Sequence, residues 1–156
     1  MIEVEIPGYG RIGLSHLVLD YNGTLACDGE LLPGVRETLT ALSEHLSVHV
    51  LTADTFGKAA SRLKGIPCEV SILPAKDQDM GKRDYVKRLG AVRTACIGNG
   101  RNDRLMLKQA SLGIAVILEE GAAVETLLDA DIVCTSIISA LELLQNPLRL
   151  TATLRS

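Results

Sequence analysis

The run His16-Leu17-Val18-Leu19-Asp20-Tyr21-Asn22-Gly23-Thr24 constrains this chain more than any other stretch. An unbroken apolar segment that ends in a turn reads as a strand buried on both faces, the kind that fills the middle of a parallel sheet. In open α/β sheets, ligands bind just beyond the carboxyl ends of such strands. Asp20 stands at that end. Gly23 lets backbone approach a ligand closely, and Thr24 adds a hydroxyl. Taken alone, the stretch fits an ordinary buried strand closed by an Asx turn equally well.

The rest of the chain repeats the theme. Met1 to Ile6 alternates apolar and polar residues, and Pro7-Gly8-Tyr9-Gly10 turns it back, predicting a hairpin-like N-terminal edge. Asp28-Gly29 marks a small hairpin. Further strands are predicted over 48–51, 68–73, 94–97, 112–118 and 132–134. A helix opened by Pro33 carries Val35, Leu39, Leu42 and Leu46 on one stripe. Others follow: one with Phe56, Ala59, Ala60 and Leu63 inward, one from about 79 to 89 that stops at Gly90, and helices over 105–110, 122–130 and 137–144. The tail after Asn146-Pro147 has no clear pattern. Strand–helix alternation predicts an α/β fold, a single-domain doubly wound parallel sheet over residues 1–156, with no cap domain.

At 156 residues the chain can bury a substantial core. Aromatics are only 3% of it, so that core must come from Leu, Ile, Val and Ala. A net charge of −3 gives no electrostatic case for nucleic acid or an anionic membrane surface. Cys27, Cys68, Cys96 and Cys134 have no CxxC spacing, which fits buried thiols in a reducing cytosol rather than zinc or disulfides. His16, His45 and His49 lack metal spacing and read as structural. No apolar stretch reaches membrane-spanning length, and no signal peptide is apparent.

Several strand ends carry polar cargo of one kind. Asp20, Thr52 and the loop Gly98-Asn99-Gly100-Arg101-Asn102-Asp103 should open on one sheet edge, and Lys82, near the start of its helix, can reach it. A carboxylate nucleophile, a hydroxyl, a lysine and a glycine-rich acidic loop make a phosphoryl-transfer set. Individually, each residue has a plainer reading. Thr52 could cap the next helix, as could Asp54 or Thr55; Lys76 and Arg83 rival Lys82; Asn102 and Asp103 could be caps.

In this order and placement, the motifs resemble those of the haloacid dehalogenase (HAD) superfamily. Asp20-Tyr21-Asn22-Gly23-Thr24 stands against its DxDGT, Thr52 and Lys82 against its second and third motifs, and the Gly98–Asp103 loop against GDGxND. The chain is most similar to small cap-less members related to the phosphorylation domain of P-type ATPases. The resemblance implies a HAD-like Rossmannoid fold and a Mg²⁺-dependent phosphohydrolase acting through an aspartyl-phosphate on Asp20. It implies that Mg²⁺ touches Asp20, the Asn22 carbonyl and the position of Asn99, with Asp103 orienting Lys82 and a metal-bound water. Thr52, Lys82, Gly23 and Asn102 form the implied phosphate-binding set.

Two departures matter. Asn22 replaces the acid–base Asp, so the catalytic set Asp20, Asn22 and Lys82 lacks a proton shuttle, and turnover should be slow. Asn99 replaces a charged ligand, so Mg²⁺ should bind weakly. The alternative is a catalytically degenerate module that binds phosphate or metal in a regulatory or interaction role. A response-regulator receiver would need an acidic pair near the first strand's end, well ahead of the phosphorylated Asp; here the Asp comes on the first central strand and is followed by Asn-Gly-Thr. The phosphorylated substrate cannot be read from the sequence. An uncapped site implies a large substrate or closure by a neighbour in a homo-oligomer.

Overall fold

The computed structural model describes residues 1–54 and 57–156. Its centre is a six-stranded parallel sheet made of β3 (His16–Asp20), β6 (Ser47–Thr52), β7 (Glu69–Ile72), β8 (Thr94–Gly98), β9 (Leu112–Val116) and β10 (Ile132–Cys134). The spatial order is β10-β9-β8-β3-β6-β7, so the Asp20 strand is an inner one. It pairs in parallel with β6 on one side, Asp20 opposite Leu51, and with β8 on the other, Leu19 opposite Ile97.

The two-residue period of the strands divides the core into two layers. Leu17, Leu19, Val48, Val50, Ala95, Ile97, Leu112, Ile114 and Val116 face one side, where α1 (Val35–Leu42), α6 (Ile137–Gln145) and Leu150 of α7 (Pro147–Leu154) cover them. Val18, Leu51, Cys96 and Ala115 face the other, against Val86 of α3 (Gln78–Leu89) and Met106 and Leu107 of α4 (Arg104–Gln109). Helix α5 (Val124–Asp129) adds Leu127 to that second layer. Aliphatic residues dominate both layers, as the scarcity of aromatics requires.

The N-terminal hairpin forms as expected, β1 (Ile2–Ile6) antiparallel to β2 (Gly10–Leu14), and packs Ile6, Ile12 and Leu14 into the first layer. Between β3 and α1 there is only the small hairpin β4 (Ala26–Cys27) and β5 (Glu30–Leu31). The buried Tyr21 anchors it by donating its hydroxyl to the Gly29 carbonyl at 2.8 Å.

Some expectations need correction. The tail is a helix, α7, begun at Pro147, where a missing N–H costs nothing. Helix α1 starts at Val35 rather than Pro33, because Gly34 is left-handed at φ 82°. The helix after β6 is short, α2 (Ala59–Arg62), with Ala59 buried and Ala60 exposed. Phe56 lies outside the described residues. Strand β7 is only partly buried because it closes the sheet edge. Of the cysteines only Cys96 is fully buried; Cys27, Cys68 and Cys134 are half-buried. No helix among the described residues is long and apolar enough to cross a membrane.

Candidate active site

Asp20 shares a strand face with Val18, so its carboxylate points toward α3 and α4. That explains its partners. Lys82, in the second turn of α3, donates from Nζ to Asp20 Oδ1 at 2.8 Å and to Asp103 Oδ1 at 2.6 Å. The Lys82 side chain is 1% exposed and the Asp103 side chain 0%. A lone buried lysine would be expelled or neutralised; two carboxylates hold this one charged. Burial pushes the Lys82 pKa down, but Asp103 and Asp20 outweigh it and drive the value upward. Burial, and then repulsion from Asp103, raise Asp20 to about 6 against the pull of Lys82.

Asp103 closes a tight turn. Its Oδ2 accepts from the backbone N–H groups of Asn99 and Gly100, both at 2.9 Å. The turn needs a glycine at 98, where a Cβ would lie 2.5 Å from Asp103 Cγ. Thr126 secures the loop from outside by donating to the Gly100 carbonyl at 2.8 Å.

On the far side of Asp20, the buried Thr24 hydroxyl lies 3.3 Å from Asp20 Oδ2 and 3.4 Å from Asn99 Oδ1. The Asn99 amide donates to the Gly121 carbonyl at 3.0 Å, which turns its Oδ1 inward. Gly23 is left-handed at φ 81°, and a Cβ there would strike Asn99 and Glu120. A cavity of about 310 Å³ opens over these groups, lined by Asp20, Asn22, Thr52, Gln78, Asn99 and Asn102 together with Ala53, Ala75, Gly100 and Glu120.

The structure therefore gathers the predicted residues at one sheet edge, and it decides between several readings of them. Lys58, not Thr52 or Asp54, holds the N-cap position of α2, although Asp54 Oδ1 accepts from the helix's first N–H, that of Ala59, at 3.1 Å. The Thr52 Oγ accepts from Asp54 N at 3.0 Å, which leaves its proton free to donate into the cavity. Thr55 lies outside the described residues. Lys82 is the lysine of the site; Arg83 is engaged with Asp84 and Lys76 is exposed. Lys82 sits one residue deeper in its helix than expected, since α3 starts at Gln78. Asn102 is exposed and donates to Gln78 Oε1 at 2.7 Å, joining the loop to α3.

Solved structures share this architecture. A 3-deoxy-D-manno-octulosonate 8-phosphate phosphatase of Moraxella catarrhalis, in complex with magnesium, phosphate and KDO, matches with a TM-score of 0.70. Identity is 18%, over 90% of this chain and 92% of that one. The cobalt-bound deoxy-D-mannose-octulosonate 8-phosphate phosphatase of Haemophilus influenzae gives 0.72 at 14% identity, over 92% and 94% of the chains. A protein of Streptomyces avermitilis assigned to the HAD family of hydrolases gives 0.62 at 21%, over 78% and 76%. The fold is that of the HAD hydrolases.

No family model matches the chain. By sequence it is similar to two uncharacterised proteins of Methanocaldococcus jannaschii. One is 58% identical over 59 residues, which is 38% of this chain and 63% of that protein, so the chain spans less than two thirds of it. The other is 49% identical over 39 residues, 25% of this chain and 89% of that protein. The chain belongs to one family with this second protein.

Within this HAD fold the donor set suits a hard divalent cation. Asp20 Oδ2 and Asn99 Oδ1 converge on the same hydroxyl, and the buried Asn22 Oδ1 has no hydrogen-bond donor. An orphaned buried oxygen marks a place where water or an ion belongs. All the donors are oxygens, as Mg²⁺ prefers. Among the described residues, no group of three or more His, Cys, Asp or Glu forms a ready cage; amides supply part of the set. Gln78 and Glu120 line the cavity but are absent from the sequence-predicted set. Glu120 does carry a signal: it lies in the loop after β9, at the same carboxyl edge of the sheet.

Proposed function

We propose that the protein is a Mg²⁺-dependent phosphohydrolase that works through an aspartyl-phosphate on Asp20. The observation that supports this most is the buried Asp20–Lys82–Asp103 ion triad, whose Asp20 lines a polar cavity. A triad of that kind is costly to bury, and replacing it with apolar residues would serve stability as well or better. Its retention at the end of a central strand favours chemistry.

In this reading, an Asp20 oxygen attacks phosphorus and the bond to the leaving oxygen breaks, the electron pair departing with that oxygen. Lys82 and the Thr52 hydroxyl hold the phosphoryl oxygens, with Asn102 at the rim; the backbone at Gly23, expected to join them, is not available because its N–H donates to the Ala26 carbonyl at 2.8 Å. Mg²⁺ held by Asp20, Asn22 and Asn99, with Asp103 fixing the Asn99 loop, would neutralise charge that develops on the phosphoryl group. Water then attacks the acyl phosphate, releasing inorganic phosphate and restoring the Asp20 carboxylate. Asn22 can neither protonate the leaving oxygen nor deprotonate water, so solvent takes both proton transfers. Substrates whose leaving groups are weakly basic, acyl and aryl phosphates, suit such a site. The free cysteines and the weakly acidic chain fit a cytosolic enzyme acting on a phosphorylated substrate rather than on nucleic acid or a membrane.

The test is phosphate release from para-nitrophenyl phosphate with Mg²⁺, compared with Asp20→Asn. Slow release that Asp20→Asn abolishes, with acid-stable label on wild-type Asp20, is the expected result. Equal rates for both proteins would overturn the reading and leave a phosphate- or metal-binding module.

A further inference from the structure

We propose that Glu120 supplies the carboxylate charge that Asn99 lacks, binding the divalent cation from the loop after β9; the inference rests on the metal site proposed above. The two carboxylate oxygens of Asp20 are used differently. Oδ1 is taken by Lys82, whereas Oδ2 faces the Thr24 hydroxyl, which also lies 3.4 Å from Asn99 Oδ1. A cation therefore belongs on the Oδ2 side, and Glu120 stands there. Its Oε2 and both polar atoms of the Asn99 side chain, at 2.5 and 2.8 Å, crowd the single point where a Cβ on Gly23 would sit. Only a glycine at 23 leaves that space open.

The position of Glu120 is built. Leu118 and Gly121 bridge as an antiparallel pair, with Gly121 N donating to the Leu118 carbonyl at 2.9 Å. Glu119 and Glu120 form the tip between them. The Asn99 amide holds the same turn through the Gly121 carbonyl, and Ala123 N donates to the Asn99 carbonyl at 2.9 Å. Among the described residues, the Glu120 carboxylate has no hydrogen bond or ion pair, although Arg101 on the neighbouring loop and Arg104 at the start of α4 both pair with Glu125. Together with the buried and unpartnered Asn22 Oδ1, this leaves an acidic group and an unpaired acceptor among the residues that line one cavity.

The experiment is calorimetric titration of Mg²⁺, without substrate, into the full chain as wild type, Glu120→Gln, Asn99→Asp and the double variant, with thermal melts to confirm folding. Loss of groups that merely orient a metal ligand costs about 10–100-fold in affinity, so Glu120→Gln should weaken binding at least tenfold. Asn99→Asp should restore affinity in the Glu120→Gln background. The weakening should persist in about 0.5 M salt, where the Debye length falls to a few Å. Unchanged affinity in Glu120→Gln, a loss that salt erases, or no Mg²⁺ binding by the wild type would each overturn the proposal. The phosphohydrolase reading fails separately, on the Asp20→Asn rate.

Discussion

Strands β3 and β6 carry polar groups at both ends, and the two ends solve burial differently. At the carboxyl edge, Asp20, Lys82 and Asp103 are ions held by ions. At the amino edge, His16 Nδ1 lies 3.3 Å from His49 Nε2, and His49 Nδ1 lies 3.0 Å from the Tyr85 hydroxyl. Tyr85 in turn donates to Glu69 at 3.2 Å. This second cluster is a hydrogen-bonded chain in which burial holds both histidines toward the neutral form. Histidines kept neutral cost little to bury and do no chemistry that needs charge. A buried ion triad is kept where charge has a task.

The sharpest way to break this contrast is to remove one ion. Lys82→Met leaves Asp20 and Asp103 close together with no cation between them. Losing one partner of a buried ion pair costs about 3–5 kcal/mol, so urea denaturation should show a loss of that size. A loss under about 1 kcal/mol would mean that the two carboxylates relax to solvent and that the triad is not a buried unit. Mg²⁺ should recover part of the loss, because it binds only the folded site.

The next test adds chemistry to the carboxyl edge. Asn22→Asp places a proton shuttle beside Asp20. Turnover should rise by about 10²-fold, the low end of general acid–base effects, and more for alkyl than for aryl phosphates. Steady-state rates on one substrate of each kind measure this. Phosphoenzyme, accumulating in the wild type, should fall in the variant. Unchanged rates on both substrates would place Asn22 outside the proton path.

Much of this site was legible because its residues follow strands. A buried apolar run ending in Asp20, and others ending in Thr52 and in Gly98-Asn99, put their polar ends at one edge by topology alone. Lys82 was legible as a lysine near a helix start, but only packing explains its choice over Lys76: the α3 face bearing Val86 also bears Lys82, and both are buried. Glu120 was hidden because an acidic pair before a glycine reads as a solvated turn, and its residue is indeed exposed. Its place against Gly23 depends on how the β9 loop folds over β3, a contact between segments nearly a hundred residues apart. The His16–His49 pair was read only as structural, because its geometry comes from strand register: Val18, two residues beyond His16, stands opposite His49.

The smallest expected effect belongs to the amino edge, and its sign separates the two clusters. Burial, with His16 adding and Glu69 opposing, lowers the His49 pKa from its ordinary 6.5. Below that value the unfolded chain takes up a proton before the folded one does. Stability from a neutral His49 is therefore full above about pH 6.5 and is lost as pH falls toward the depressed folded value. Asp20 runs the other way. Its folded pKa is raised from 3.8 to about 6, so its contribution is present at low pH and lost as pH rises through 6. A wild-type pH profile mixes the two, but a difference between proteins does not. His49→Gln keeps a hydrogen-bonding side chain and cannot be protonated, while Asp20 contributes equally to both proteins. Urea denaturation at about pH 7.5 and about pH 5.5 should then show wild type losing more stability on acidification than His49→Gln, by about 1 kcal/mol or less. If the two proteins lose the same amount, the hydrogen-bonded chain at the amino edge does not control His49. The contrast between the two ends of the strands would then rest on the ion triad alone.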